Sequence, residues 1–241
     1  MKIVLIGRGR LATNLERALL KAGHEVVSIN SRTLENLPME ADAYIIAVKD
    51  SALKEVATAA TKDRETQVFF HTAGSMPLST FQGMTRHYGV IYPMQSFSKE
   101  RLVDFEEIPI FVEASDEKTM VVARQLTGSF SGHVYELSSD DRQYLHLAAV
   151  FACNFANHCY AMAAEILEQH GMSFDMMLPL IDETARKVHQ LHPLDAQTGP
   201  AVRYDENVIR HQAQLLLDHP DMKDLYERMS LHIHRKAEQH D

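Results

Sequence analysis

The stretch IGRGRLATNL, residues 6–15, decides the fold. Before it lies Ile3-Val4-Leu5-Ile6, a short β-branched run of the kind that fills a parallel strand buried on both faces. After it, Leu11, Leu15, Ala18, Leu19 and Ala22 recur at helical spacing. A strand, a turn and a helix are therefore expected in that order. The turn reads Gly7-Arg8-Gly9-Arg10-Leu11-Ala12, a G-x-G-x-x-A arrangement. Each position has a physical task. Gly7 permits the tight turn, Gly9 lets a pyrophosphate approach the backbone, and Ala12 lets helix and strand pack closely. The helix N-terminus then offers free N–H groups and partial positive charge to the phosphates. A strand-to-helix turn that merely contains glycines is the alternative. The elements on both sides favour a dinucleotide.

The next apolar run, Glu25-Val26-Val27-Ser28-Ile29-Asn30, identifies which dinucleotide. An NAD site carries Asp or Glu near this strand end to hold the ribose 2′-hydroxyl. Here the chain has Asn30-Ser31-Arg32-Thr33. No carboxylate repels a 2′-phosphate, Ser31 and Thr33 can donate hydrogen bonds, and Arg32 can form a charged fork. Val48 and Lys49, at the end of the third apolar run, lie where the cofactor would pass. The expected cofactor is NADP(H). Arg8, Arg10 and Arg32 read otherwise as solvated surface charges.

Bulk properties narrow the setting. The chain has 241 residues, 45% hydrophobic, with 24 basic and 33 acidic side chains and a net charge of −9. An acidic balance argues against nucleic acid as the main partner. The two cysteines, Cys153 and Cys159, make no disulfide framework, and the first residues read as a strand and not as a leader. No run is read as a membrane span. A cytoplasmic protein with no membrane partner is expected. Histidine is frequent, but the pairs His189/His192 and His232/His234 lack an obvious third ligand, so no metal site is expected.

Strand and helix patterns alternate as far as Leu137: further strands are read at 43–48, 67–70, 88–93, 108–113 and 132–137. From Ser138 onward only helical patterns remain, over about 140–170, 173–190, 204–218 and 221–239. The fold class is therefore α/β, a doubly wound parallel sheet in residues 1–137, followed by an all-helical domain in 138–241. The first long helix is apolar nearly all round, through Leu145, Leu147, Val150, Phe151 and Phe155. Such a helix is buried on most sides, so a homodimer through the helical domain is expected, a self-sufficient bundle being the rival.

Ligands of open α/β sheets bind beyond the carboxyl ends of strands. His71, Ser75 and Ser96 follow such ends. Carbonyl reduction needs a proton donor, and His71 qualifies as donor or as a group that orients the nicotinamide. His146, Asn154, Asn157 and His158 interrupt the apolar helix; His146 and Asn157 are eleven apart and so share an α-helical face, with Asn154 at its side. They either satisfy the helical core or hold substrate. Thr198 and Arg203, in TGPAVRYD, residues 198–205, suit an acidic substrate group, unless the segment is only a joining turn.

Four stretches together carry a resemblance: HTAGS (71–75), GVIYPMQSF (89–97), HLAAVFACNF (146–155) and TGPAVRYD (198–205). They resemble a family of Rossmann-like proteins with a helical C-terminal domain of unassigned function, domain of unknown function 2520. More distantly the layout is similar to 6-phosphogluconate and β-hydroxyacid dehydrogenases and to pyrroline-5-carboxylate reductase. The resemblance implies a 6-phosphogluconate-dehydrogenase-like C-terminal domain that dimerises, and an NADP-linked oxidoreductase. Its substrate would be a small anionic carbonyl or imine compound, ketopantoate first. It moves His146, Asn154, Thr198 and Arg203 toward function; with the strand-end residues, the expected catalytic residues are His71, His146 and Asn154 and the expected substrate-binding ones Ser75, Ser96, Thr198 and Arg203. The long helix offers His146 where β-hydroxyacid dehydrogenases place a lysine, so the proton donor is left open. Two other readings stand beside this one: an imine reductase of the pyrroline-5-carboxylate type, and a non-catalytic NADP(H)-sensing dimer.

Overall fold

A computed structural model describes residues 1–98 and 100–240; Lys99 and Asp241, the last residue of the expected helical domain, lie outside the described residues. The chain forms two compact units, Met1–Phe155 and Ala156–Asp241.

In the first unit β1 (Lys2–Ile6), α1 (Arg10–Lys21), β2 (Glu25–Ile29), β3 (Ala43–Ile46), α2 (Asp50–Thr61), β4 (Val68–His71) and β5 (His87–Pro93) follow in order. Then come β6 (Ile110–Ala114), α3 (Glu117–Thr127), β7 (Val134–Glu136) and α4 (Ser139–Ala149). The strands form one sheet in the order β2-β1-β3-β4-β5-β6-β7. Strands β1 to β5 are parallel, as expected for the doubly wound sheet. Their residues alternate between two cores. Ile3, Leu5 and Ile45 face a cluster with Leu15 and Leu19 of α1 and Leu126 of α3; Val4, Ile6 and Ile46 face one with Leu53 and Ala57 of α2. Burial on both faces is why the strands read as unbroken apolar runs.

The sheet departs from the all-parallel expectation at its far edge. β6 pairs antiparallel with β5, and β7 runs parallel to β6. A parallel return needs a crossover, usually a helix. The described part of the 94–109 connection contains no helix, so the chain comes back along the edge it left. Asn14, 2% exposed on α1, fastens this long connection. Its amide donates to Ser98 O at 2.9 Å and its carbonyl accepts Val103 N–H at 3.2 Å.

The first unit ends later than Leu137 because α4 packs with the sheet. Ser138 caps it by accepting Asp141 N–H, as its composition predicts. A π-helical turn, Val150–Phe155, then continues into α5 (Ala156–Gln169). The eleven-residue spacing between His146 and Asn157 assumed unbroken α geometry, which the π turn removes. An α-helix advances about 100° per residue and a π-helix roughly 80°. Four steps of each bring Asn154 to within about 10° of the direction of His146, where unbroken α geometry leaves it about 80° away. The sequence reading therefore paired His146 with the wrong asparagine. The helix Ser139–Gln169 is, by length and composition alone, apolar enough to cross a membrane, with a mean hydropathy of 1.2 over its best window. That corrects the expectation that no segment approaches such a span.

The second unit is helical: α5, α6 (Leu178–Lys187), α7 (Pro193–Ala196), α8 (Glu206–Leu215) and α9 (Pro220–Glu238). α8 packs on α9, with Tyr226 Oη donating to Gln212 Oε1 at 2.7 Å.

The turn after β1 is the tightest steric point. Gly7 has φ +140°, and a Cβ there would sit 2.2 Å from the carbonyl oxygen of Ala47. Gly7→Ala should therefore cost at least about 3 kcal/mol of stability, at the severe end of single substitutions. Denaturant titration checks this; a loss below about 1 kcal/mol would show that the turn relaxes freely.

Candidate active site

The strand order places β1 between β2 and β3, so chain connections leave in opposite directions at the carboxyl ends of β1 and β3. That crevice is where open α/β sheets take ligands. The expected cofactor residues meet there. Gly7 N–H donates to Ile29 O at 3.0 Å, and Ala47 N–H donates to Ile6 O at 2.8 Å. These bonds tie the ends of β2, β1 and β3 together. They bring the 7–12 turn, Asn30–Thr33 and Val48–Lys49 onto three adjacent strand ends.

Each part fits a dinucleotide. Arg8, Gly9 and Arg10 are exposed, while Leu11 is half-buried and Ala12 buried against the core. A Cβ at Gly9 would meet nothing within 4 Å, so open space lies over the turn. Gly9 is the N-cap of α1 and offers no side chain to its first N–H groups, which leaves them for phosphate. Asn30 organises the turn after β2: its Oδ1 accepts Arg32 N–H at 3.1 Å and its backbone carbonyl accepts Leu34 N–H at 2.9 Å. Arg32 and Thr33 are exposed and Ser31 half-buried at this strand end. Lys49 is the exposed N-cap of α2. The residues present fit NADP(H).

A second cluster lies along the same edge, at the carboxyl ends of β4 and β5. Tyr92 Oη and His146 Nδ1 are 3.0 Å apart, and the two rings meet edge to face. Burial pushes the Tyr92 phenol upward, so it stays protonated near neutral pH. The two share one hydrogen bond, in which Tyr92 O–H donates when Nδ1 is bare and its oxygen accepts when Nδ1 carries the proton. Gly74 packs directly against this pair: a Cβ there would lie 2.8 Å from His146 Nδ1 and 2.9 Å from the Tyr92 ring. Ser75 hydrogen-bonds to the Asp50 carboxylate. The site thus gathers Asp50, Ser75, Tyr92 and His146. Three strand spacings, about 14 Å, separate β1 from β5, and an extended dinucleotide crosses such a distance.

His71 stands apart from its expected role. It is 0% exposed, Ala73 N–H donates to its Nδ1 at 3.2 Å, and Nε2 lies 3.3 Å from Pro77 O, to which it donates. Both ring nitrogens are occupied, so His71 shapes the 71–77 segment and carries no proton to substrate. Burial, helped by the Arg142 charge, lowers its pKa to about 4. Ser96 is exposed in the 94–109 connection, where its N–H donates to Gln95 Oε1 at 2.8 Å. Asn154 is exposed in the π turn. Thr198 and Arg203 are exposed in the second unit, in a segment closed by Asp205 N–H donating to Pro200 O at 3.0 Å. Tyr204, with φ +48°, stacks on His234 there.

Tyr92 was present in the quoted motif 89–97 but was not singled out; it looks like one more aromatic of a buried strand. Arg142 and Glu113, which lie beneath the pair, were also missed. The one available signal was the four-residue spacing of Arg142 and His146, which puts both on one helical face.

A Rossmann turn, an open phosphate cradle and a proton-bearing pair on the same sheet edge define the oxidoreductase class. Residues 2–61 match the family described as NADP oxidoreductase coenzyme F420-dependent. Residues 108–233 match the family described as domain of unknown function DUF2520, and the chain belongs to that family. It is similar over 97% of its length, and 98% of the other chain, to a Bacteroides fragilis protein provisionally named an NADP oxidoreductase, with 47% identity and a TM-score of 0.92. Two further solved structures share the fold. The Plasmodium falciparum pyrroline carboxylate reductase, with NADP bound, has 11% identity and a TM-score of 0.62, over 97% of this chain and 98% of that one. The Myxococcus stipitatus imine reductase, in complex with NADP+, has 14% identity and a TM-score of 0.66, over 99% and 94%. Curated proteins give no match.

Two outcomes follow from this geometry. Arg32→Ala should weaken NADPH binding by about 1–3 kcal/mol, the value of a charge-assisted hydrogen bond, and leave NADH binding nearly unchanged. Fluorescence titration separates the two; equal losses would remove Arg32 from the 2′-phosphate. His71 is neutral in the fold and binds a proton more readily when unfolded. Its contribution to stability is therefore complete above pH 6.5 and lost as pH falls toward about 4. His71→Gln should flatten the acid limb of stability in that window, measured by urea unfolding at several pH values. An unaltered acid limb would show that His71 titrates freely.

Proposed function

We propose that the protein is an NADP(H)-dependent reductase that adds hydride and a proton across the C=O or C=N bond of a small substrate. The observation that carries this reading is the Tyr92–His146 pair, placed on the same sheet edge as the open turn over Gly9. When bound, NADPH supplies the hydride. This chain supplies the proton: His146 as imidazolium, its Nδ1–H donated to the Tyr92 oxygen, gives its Nε2 proton to the substrate's oxygen or nitrogen and is left as the neutral ring with its proton on Nδ1. Tyr92 serves either form of the ring, as donor to a bare Nδ1 and as acceptor from a protonated one. Asn154, brought round to the His146 direction by the π turn, is suited to orient the substrate. Asp50, with Ser75, adds a negative charge beside the pair.

Ketopantoate is the carbonyl substrate implied by the sequence resemblance, and Thr198 and Arg203 have the chemistry for an acidic substrate group. The solved neighbours are named as pyrroline carboxylate and imine reductases, which favours testing C=N substrates beside it. The nearby Asp50 carboxylate suits a substrate that becomes cationic on nitrogen. We further propose a homodimer in the cytoplasm, built through the long helix. Its exposed apolar side chains, including Phe151 at 63%, support the dimer.

NADPH consumption with ketopantoate, pyrroline-5-carboxylate and related cyclic imines tests the proposal. Turnover should appear with at least one of them, and His146→Ala should lower kcat by about 10²–10⁴-fold with little effect on NADPH affinity. Full turnover in His146→Ala would remove His146 from the chemistry. NADPH binding without turnover on any of these compounds would favour the sensing-dimer reading.

A further inference from the structure

Beneath the Tyr92–His146 pair lies a buried ionic cluster that hydride transfer does not itself require. Arg142, 1% exposed, sits one helical turn before His146 on α4. Its guanidinium donates to Glu113 Oε2 on β6 at 2.6 Å and to the backbone carbonyl of Met76 at 2.7 Å. Ser139, a further turn back, donates its hydroxyl to the same Glu113 oxygen at 2.6 Å and its N–H to Glu113 Oε1 at 3.0 Å. The Ser139 hydroxyl also accepts Leu78 N–H at 2.8 Å. One carboxylate therefore gathers β6, the segment leaving β4 and the first turns of α4. That segment includes Gly74, which packs against His146 and Tyr92.

A buried ion pair is a weak source of stability, because desolvation offsets the attraction. An apolar pair of the same volume would hold these elements together as firmly. What the guanidinium adds is direction, since its planar fork fixes two acceptors at set angles. The fit is imposed at a cost: Arg142 Nε is buried with no hydrogen-bond partner among the described residues. The rotation of α4 about its axis, and with it the placement of the His146 ring, is therefore set by the Arg142 fork.

We propose that Arg142 is a positioning residue, which fixes α4 and the 74–78 segment in the one register where His146 Nδ1 meets the Tyr92 hydroxyl. It acts through His146 and touches neither substrate nor cofactor. Its importance for catalysis rests on the proposed reductase reading; the geometric claim does not.

The test reads the His146 ring by long-range proton–nitrogen NMR spectra of the full chain, with NADPH titrated separately. Wild type should show one ring state, with a hydrogen-bonded Nδ1. Tyr92→Phe defines the spectrum of the ring without its partner. Arg142→Met should shift the His146 signals toward that spectrum, and Arg142→Lys, a point charge without the fork, should rescue only part of the difference. NADPH affinity should change less than twofold in both. A wild-type His146 spectrum in folded Arg142→Met would overturn the proposal. Should that variant fail to fold, Glu113→Gln, which keeps the shape and removes the fork's charged acceptor, decides: a partial shift in the same direction supports the lock and an unchanged spectrum overturns it. Wild type that binds no NADPH would instead count against the reductase reading and leave the His146 result standing.

Discussion

The close approach of Gly7 to the carbonyl of Ala47 is the constraint on which the rest of the structure depends. Two parallel strands end side by side there, and the chain must leave β1 through a space that holds no Cβ. Meeting that constraint aims the N-terminus of α1 at the crevice between β1 and β3. It also leaves Gly9 uncovered, and it draws the ends of β2 and β3 within hydrogen-bond reach of the turn. The phosphate cradle is thus a by-product of how a glycine turn packs. A side chain at position 7 would disturb fold and cofactor site together.

The reacting end of the site has a different physical origin. It is assembled from β5, the glycine-containing segment after β4 and α4. Here the organising force is a buried arginine on a half-buried carboxylate with satisfied oxygens, and a tyrosine kept protonated by burial. Such polar interiors are costly where a group is left unpaired, as Arg142 Nε is among the described residues. The two halves of the site share the sheet edge and the Lys49–Asp50 junction at the start of α2. A helix-free return from β5 to β6, clipped by Asn14, keeps that edge within the first unit.

How much of this was legible follows from the range of each interaction. The strands, α1, the glycine turn and the NADP-type strand end were readable, because burial on both faces and local turn chemistry are written in consecutive residues. Strand direction was not: β6 looks like any buried strand, and only its helix-free connection makes it antiparallel. The Glu113–Arg142 contact spans 29 residues and leaves no periodic trace. His71 stood at a strand end and so invited a catalytic role, which its burial and two occupied nitrogens contradict. The π turn defeated the face assignment of Asn154 and Asn157, since periodicity presumes a constant helix. Membership of the family was legible in four motifs, while their chemistry depends on contacts among them.

The most direct test of the account is a crystal structure of the protein with NADP+. The account predicts the pyrophosphate over Gly9, the 2′-phosphate on Arg32, and the nicotinamide ring beside Tyr92 and His146. A nicotinamide lying away from that pair, with the phosphates still on the turn, would contradict the claim that the two halves form one reductase site.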